Sequence, residues 1–221
     1  MSDLSLMLTH LQSRGLVITT VYDIGAHTGE WSVKTKLACP NAEFYLFEAN
    51  TDYDQILIER NFPFLSGKVL SSPGRETVEF YKNASQGDSY YKENTSWYDQ
   101  KTSVQLPCTT IDQLIIDGKI PPANFIKLDT QGSELDILAG CESIINSVDL
   151  IFTECPIISY NKGSPSITDY LEYFKSKNFI PIGVFEEHLI EDTLIQLDIL
   201  FMKKESKDKY LSPNNFTRPL I

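Results

Sequence analysis

The sequence is poor in cysteine, in basic residues and in long apolar runs, and each shortage argues against a class of protein. It has 4 cysteines in 221 residues, without a C-x-x-C pair or another metal-binding spacing, which disfavours a disulfide framework and a zinc cluster. No apolar run is long enough to span a bilayer, and residues 1–14 lack the pattern of an export signal. We therefore expect a cytoplasmic protein with reduced thiols and no membrane contact.

Basic residues are outnumbered by acidic ones. There are 19 Lys and Arg residues against 30 Asp and Glu, which gives a formal net charge of −11 and a pI of about 4.7. A field of this sign repels phosphate backbones and anionic lipids. We therefore expect neither nucleic acid nor a membrane surface as a partner, and the sequence leaves the oligomeric state open.

What the sequence does contain is a regular alternation of apolar runs and amphipathic stretches. Residues 1–15 fit a short amphipathic helix, and residues 16–203 alternate between predicted strands and helices. Such alternation implies one α/β domain, in which helices cover both faces of a mainly parallel sheet. A short polar connection joins the last two predicted strands, so they should form an antiparallel hairpin. Residues 204–221 are predicted to be a loosely packed tail.

The alternation breaks down at about residues 82–102. Here Tyr90, Tyr91, Trp97 and Tyr98 lie among Asn, Ser, Gln and Gly. Two interpretations stay open. The segment is either a substrate loop inserted over a site, since linkers seldom carry so many aromatic residues, or a partly disordered surface excursion.

A ligand-binding turn is predicted within Val21-Tyr-Asp-Ile-Gly-Ala-His-Thr-Gly-Glu-Trp31, where an apolar run passes through two glycines into a helix. Gly25 and Gly29 allow a tight turn and the close approach of a ligand to free N–H groups at the helix start. The spacing is G-x-x-x-G, with His27 between the glycines, whereas dinucleotide-binding proteins have G-x-G-x-x-G. A nucleoside ligand is therefore favoured over a pyrophosphate.

Glu48 ends the next apolar run, 19 residues after Gly29. A carboxylate at the tip of the second strand lies beside the first turn, where it can accept both hydroxyls of a ribose and exclude a 2′-phosphate. The alternative is an acid at the N-terminus of the helix that follows.

Two more acids, Asp129 and Glu154, end buried apolar runs at the sheet edge where ligands bind. Such a carboxylate orients a substrate, accepts a proton or holds a metal. For Asp129, the alternative is a cap of the helix that begins near Ser133. Glu134, in the first turn of that helix, is assigned a structural role.

Five segments together resemble the FkbM-type methyltransferases, which depend on S-adenosylmethionine (SAM). The segments are Asp23-Ile-Gly-Ala-His-Thr-Gly29, Phe47-Glu-Ala-Asn50, Thr110-Ile-Asp-Gln-Leu114, Ile126-Lys-Leu-Asp-Thr-Gln-Gly-Ser-Glu134 and Gln196-Leu-Asp-Ile-Leu-Phe201. They occur in the family's order, and the resemblance runs from about residue 17 to 202. It implies a Rossmann-like class I methyltransferase fold, with a seven-stranded, mainly parallel sheet and an antiparallel last strand.

The resemblance also implies a site for SAM, with S-adenosylhomocysteine as the product. By this resemblance Asp23, Gly25 and Gly29 frame the methionine part, Glu48 binds the ribose, and Ala49 contacts the adenine together with Ser71 or Ser72. The other residues expected at the cofactor are Ala26, His27, Thr28, Trp31 and Asp129. His27 stands where the family more often has Asn, and Trp31 either covers the cofactor or packs beneath the sheet.

By the same resemblance the methyl acceptor is a hydroxyl of a sugar, glycan or small metabolite, which the aromatic insertion would suit. Asp129 or Glu154 is the predicted catalytic proton acceptor, with Asp129 preferred. Mg²⁺ held between these two acids is the less favoured arrangement, because no third ligand is evident. The alternatives are a nucleotide-binding Rossmann oxidoreductase and a methyltransferase-like binding protein without catalysis.

Overall fold

A computed structural model describes residues 3–82, 87–94, 102–159 and 161–211 of the chain. The helices are α1 (Leu4–Ser13), α2 (Glu30–Ala38), α3 (Asp54–Arg60), α4 (Ile111–Ile116), α5 (Glu134–Ala139), α6 (Ile167–Ser176) and α7 (Lys204–Tyr210). The strands are β1 (Thr20–Ile24), β2 (Glu43–Glu48), β3 (Phe64–Ser66), β4 (Val69–Leu70), β5 (Thr77–Lys82), β6 (Thr102–Thr109), β7 (Phe125–Leu128), β8 (Leu150–Pro156), β9 (Phe179–Ile190) and β10 (Thr193–Lys203). Trp97 and Tyr98, which the sequence placed in the insertion, lie outside the described residues.

The main sheet has seven strands in the order β3-β2-β1-β7-β8-β10-β9. Pairing is parallel from β3 through β8, whereas β10 is antiparallel to both of its neighbours. This confirms the predicted fold class, a mainly parallel seven-stranded sheet whose last strand is antiparallel. Because the direction of winding reverses at β1, the carboxyl ends of β1 and β7 leave a crevice in which ligands bind in open α/β sheets.

Apolar cores cover both faces of this sheet. Successive residues of a strand point to opposite faces, and Val21 and Tyr22 of β1 accordingly belong to different cores. The Tyr22 face packs against α4, α5 and α6, including Tyr170 and Phe174. The Val21 face packs against α1, α2, α3 and α7. The sheet is thereby held as a rigid layer, and its carboxyl-terminal edge stays open.

A second, three-stranded sheet lies beside this edge, in the order β4-β6-β5. Its buried residues Val69, Val78 and Phe80 form a small apolar cluster. The described residues of the insertion, 87–94, follow β5, and the Ser89 backbone pairs with Tyr81. The insertion is thus attached to the small sheet.

Residues 204–211, expected as part of a loosely packed tail, instead form α7 and its C-cap. Tyr210 and Leu211 are buried in the same core as α1. The Arg14 guanidinium donates a hydrogen bond to the Tyr210 carbonyl oxygen at 2.9 Å. The two ends of the described chain therefore pack together beneath the sheet.

The four cysteines are free thiols, and three of them are buried. Among the residues that the structure describes, no helix combines the length and the apolar character needed to cross a bilayer.

Candidate active site

A cavity of about 300 Å³ opens at the carboxyl ends of β1, β2, β7 and β8. Its wall includes the following residues that the sequence singled out for the cofactor or for catalysis: Gly25, His27, Glu48, Ala49, Asp129 and Glu154. The wall also includes residues of the small sheet, the insertion, the β9–β10 hairpin and the loop that leads from β7 into α5. Strands that are far apart in sequence thus bring these side chains to one place.

The turn after β1 is held between both neighbouring strands. The Gly25 and Ala26 amides donate to the Phe47 carbonyl oxygen at 2.9 and 3.1 Å. Gly25 has a φ of +72°, and a β-carbon on this residue would lie 1.9 Å from the Asp129 carbonyl oxygen. No side chain fits at that distance, so the turn can come this close to β7 only with glycine at residue 25.

Glu48 is buried at the end of β2, on the cavity wall. Its two carboxylate oxygens accept hydrogen bonds from the His27 and Asn50 backbone amides, each at 2.8 Å. Burial raises the pKa of this carboxyl to about 7, against the lowering effect of the two amides. Each oxygen keeps a further lone pair, so the fixed carboxylate can still accept ligand hydroxyls.

Part of the cavity wall near Glu48 is apolar. Val69, Leu70, Phe80 and Ile137 line it together with Ala49. An apolar slot beside a hydroxyl-accepting carboxylate has the chemistry that an adenosine requires.

Lys127, on β7, is a buried cation to which sequence reasoning gave no role. Its Nζ lies 3.1 Å from Asp23 Oδ1 and 3.5 Å from Asp129 Oδ2, and it donates to the Gly25 carbonyl oxygen at 2.9 Å. These negative partners outweigh burial and raise the pKa of the lysine. Lys127 therefore stays charged and links the turn after β1 to Asp129.

Asp129 and Glu154 come together as the sequence predicted, bridged by Gln131. The Gln131 Nε2 donates to Asp129 Oδ1 at 3.1 Å and to Glu154 Oε2 at 2.8 Å. Glu154 Oε1 accepts from Gln196 Nε2 at 2.5 Å. Burial, followed by the charges of Asp129 and Asp198, raises the Glu154 pKa well above its usual range. Asp129, whose side chain is 42% exposed, is the more accessible of the two acids.

Glu134 has a structural environment. Its carboxylate accepts from the Thr130 and Gly132 backbone amides at 2.8 and 3.0 Å and from the Tyr170 hydroxyl. It is almost fully buried and shapes the loop that presents Asp129.

Two residues that sequence reasoning missed at the cavity wall are His188 and Asp198. The connection between the last two strands is even shorter than the sequence predicts, because β9 continues to Ile190 and includes His188. The turn itself is Glu191 and Asp192 alone, both with positive φ, as in a two-residue hairpin. This extended strand carries His188 to a position opposite Gln196 and near Asp198.

Seven residues expected at the cofactor do not line the cavity: Asp23, Ala26, Thr28, Gly29, Trp31, Ser71 and Ser72. Asp23 is instead buried against Lys127 and the Ser32 hydroxyl. Trp31 packs beneath the sheet on Phe125 and Phe152, which is one of its two expected positions.

The remaining residues have other local surroundings. Ala26 is buried in the core, Thr28 accepts a hydrogen bond from Arg60, and Gly29 begins α2 against Leu46. Ser71 is buried beside the Tyr90 hydroxyl, and Ser72 is half-buried. A direct contact of these residues with a cofactor stays a prediction.

The described part of the insertion lies over the cavity. Gly87, Asp88, Ser89 and Tyr90 line it. The Tyr90 and Tyr91 hydroxyls both donate to Asp136 Oδ2, at 2.8 and 3.0 Å. The insertion is thereby fastened to α5, and it closes one side of the ligand space.

Comparison with curated proteins gives one relative with a described activity. Hexuronic acid methyltransferase AglP of Haloferax volcanii is 24% identical over 140 residues, which cover 61% of this chain and 54% of the relative. The alignment therefore spans about half the length of this relative.

Solved structures with a similar arrangement include two methyltransferases. Precorrin-6y C5,15-methyltransferase of Geobacter metallireducens GS-15 has a TM-score of 0.48 at 11% identity, and the match covers 91% of this chain and 89% of that one. Magnesium protoporphyrin IX methyltransferase of Synechocystis PCC 6803, solved with bound SAM, has a TM-score of 0.49 at 9% identity, with 90% and 77% covered.

The sequence also matches the methyltransferase FkbM domain over residues 23–181. This range contains the turn at Gly25, the buried carboxylate of Glu48 and the loop that presents Asp129. The match covers more than half of the chain, and the protein therefore belongs to the FkbM methyltransferase family.

Proposed function

We propose that this protein transfers the methyl group of SAM to a hydroxyl of a sugar, a glycan or a small metabolite. The observation that carries the proposal is the buried Glu48 carboxylate, which lines the cavity between the Gly25 turn and the apolar slot. A ribose whose hydroxyls donate to Glu48 leaves its adenine for the slot and its sulfur side for the region of Asp129.

The charge of the cavity supports a cationic cofactor. The end of the cavity opposite the apolar slot is lined by the carboxylates Asp129, Glu154, Glu186 and Asp198. A sulfonium carries a positive charge, so negative surroundings favour it over the neutral thioether that remains after transfer. NAD would instead bring an anionic pyrophosphate to this region, where the G-x-G-x-x-G cradle is absent.

Asp129 is the proposed catalytic residue. Bound SAM supplies a methyl group on a positively charged sulfur, which keeps the electron pair of the S–C bond as the new O–C bond forms. Asp129 orients the acceptor hydroxyl and takes its proton, while Lys127 and Gln131 fix the carboxylate. Glu154 is less suited to this role, because its side chain is more deeply buried than that of Asp129.

A sugar-type acceptor is supported by Tyr90 of the insertion, which lines the cavity, and by the hexuronic acid methyltransferase relative. A hexuronic acid offers both hydroxyls and a carboxyl group. The acidic residues around the acceptor end disfavour an anion there, so we propose a hydroxyl as the methylated group.

Calorimetric titration tests the cofactor. We expect S-adenosylhomocysteine and SAM to bind to the full chain, and NAD not to bind. Glu48→Gln should weaken binding of S-adenosylhomocysteine about tenfold or more, since it removes a charged hydrogen-bond acceptor. Binding of NAD alone would favour the oxidoreductase and overturn the proposal.

Methyl transfer from labelled SAM tests the reaction. Neutral hexoses, hexuronic acids and their glycans serve as acceptors, and mild alkali separates a stable ether from a labile ester. Asp129→Asn should lower kcat about 100-fold or more, whereas Glu172→Gln, an exposed change on α6, should have no effect. An ester product or an unchanged rate of Asp129→Asn would contradict the assignment, and binding without transfer to any acceptor would indicate a non-catalytic protein.

A further inference from the structure

We infer that Glu154, His188 and Asp198 form a site for one divalent transition-metal ion, such as Mn²⁺ or Zn²⁺, at the acceptor end of the cavity. One donor atom from each side chain lies within 4.8 Å of the others. All three residues line the cavity. The metal site itself is independent of the proposed function, whereas its role in catalysis rests on that function.

The pairing of three strands brings these residues together. Asp198 on β10 is directly opposite Glu154 on β8, and His188 on β9 is opposite Gln196, two residues before Asp198. Residues two apart on a strand share one face of the sheet. The cluster is therefore built on paired backbone rather than on a loop, which fixes the distances between its donors.

Two of the donor atoms face each other without a hydrogen bond. His188 Nε2 and Asp198 Oδ1 are 3.5 Å apart, both are inaccessible to solvent, and neither has a hydrogen-bond partner among the described residues. Buried polar atoms are nearly always satisfied by a hydrogen bond, a water or an ion. An ion bound to both atoms would satisfy them together.

Local charge also favours a dication. The carboxylates of Asp129 and Glu186 line the same end of the cavity as the two acidic ligands. The nearby cation Lys127 is already engaged by Asp23 and by the Gly25 carbonyl oxygen. A sulfonium adds a single positive charge, so a divalent ion brings this end closer to neutrality.

Further hydrogen bonds orient the Glu154 ligand. Gln131 and Gln196 each donate a side-chain amide hydrogen to one of its oxygens, and such outer contacts are typical of metal-binding carboxylates. One imidazole nitrogen with two carboxylates suits Mn²⁺, Fe²⁺ or Zn²⁺ better than Ca²⁺ or Mg²⁺, which prefer all-oxygen ligands. Three protein ligands leave coordination positions for oxygens of the acceptor, whose hydroxyl the ion would make more acidic.

The test is the binding of Mn²⁺ to the chelator-treated full chain, followed by electron paramagnetic resonance and calorimetry. We expect one Mn²⁺ per chain and an electron spin echo signal from a coordinated imidazole nitrogen. Asp198→Asn and His188→Ala should each weaken binding at least tenfold, and His188→Ala should abolish the nitrogen signal. Glu187→Gln, an exposed acid on β9 outside the cavity wall, serves as the control and should bind normally.

Absence of stoichiometric binding of Mn²⁺ and Zn²⁺ at millimolar concentration would overturn the inference. So would binding that neither variant weakens, since the ion would then occupy another site. Thermal unfolding of each variant checks that it is folded, and the isosteric Asp198→Asn keeps the test valid if His188→Ala does not fold. Titration of the metal-free protein with S-adenosylhomocysteine separates the two proposals. If S-adenosylhomocysteine binds but no metal ion does, the metal site is wrong and the proposed function is unaffected.

Discussion

Gly25 and Asp129 approach so closely that a β-carbon on residue 25 would lie 1.9 Å from the Asp129 carbonyl oxygen. This contact joins the turn after β1 to the end of β7, and both residues line the cavity. The cavity therefore depends on a backbone contact that no residue with a side chain can make without displacing β7.

Gly25→Ala tests this contact. We expect a loss of about 3 kcal/mol or more in the free energy of unfolding, because a positive φ and a backbone clash act together. Gly74→Ala is the matched control: Gly74 also has a positive φ, of +83°, but nothing lies within 4 Å of its added β-carbon. It should cost only about 1 kcal/mol. Urea unfolding measures both changes, and equal losses would contradict the contact.

Lys127 is predicted to be essential for stability. Lys127→Met leaves the buried Asp23 carboxylate without its cation, which costs about 3–5 kcal/mol. Adding Asp23→Asn removes the uncompensated charge and should recover part of the loss. Lys34→Ala breaks an exposed pair with Glu30 and should leave stability nearly unchanged, because solvent screens such a pair. Unfolding in denaturant measures the stability of each variant. A Lys127→Met variant as stable as Lys34→Ala would refute the prediction.

Cofactor affinity is predicted to depend on pH through Glu48, whose pKa is raised to about 7 by burial. Only the charged carboxylate accepts two ribose hydroxyls fully, so affinity for S-adenosylhomocysteine should fall roughly tenfold from pH 8 to pH 6. Calorimetry at several pH values measures the profile. Glu48→Gln should bind S-adenosylhomocysteine more weakly, and its affinity should not fall between pH 8 and pH 6. An equal fall in the wild type and the variant would show that another group titrates.

The same shift predicts a change in the stability of the ligand-free protein. The folded-state pKa lies above the ordinary value of 4.5, so Glu48 binds its proton more tightly in the folded protein. This tighter proton binding adds on the order of 3 kcal/mol to the free energy of unfolding below about pH 4.5, and the added stability is lost as the pH rises to about 7. Relative to wild type, Glu48→Gln should therefore gain stability between these values, and unfolding curves at pH 5 and 8 test the sign.

The insertion is predicted to depend on Asp136. Asp136→Asn weakens the bonds from the Tyr90 and Tyr91 hydroxyls and the contact with Arg75. Amide hydrogen exchange in residues 87–94 should become faster, while the main sheet keeps its protection. Asp112→Asn, which disturbs comparable bonds to Ser143 outside the cavity wall, is the control. Unchanged exchange in residues 87–94 would show that these contacts do not hold the insertion.

Elements with a strong local pattern could be predicted from the sequence. All five residues of β1 are buried, and such a run is typical of a central parallel strand. β3 has no such pattern, because only Phe64–Ser66 pair and three residues are too few to show one. α7 was missed because its sequence is mostly charged and gives no apolar period; Tyr210 is the residue of α7 that docks on the core.

The sequence could predict those site residues that lie at the ends of parallel strands. Gly25 and Asp129 come directly after buried strands, Glu48 is the last residue of β2, and parallel strands end at one edge. His188 and Asp198 meet through the register of an antiparallel hairpin. Turn geometry sets that register, and Glu191-Asp192 lacks the Gly or Asn that marks such a turn. No local signal therefore pointed to these residues.

The most direct test of the account is a crystal structure of the full chain grown with S-adenosylhomocysteine. We predict density for the adenosyl group in the cavity, with the ribose hydroxyls on Glu48, the adenine between Ala49, Leu70 and Phe80, and the sulfur toward Asp129. Density elsewhere, or a cavity without ligand under conditions in which calorimetry shows binding, would contradict it.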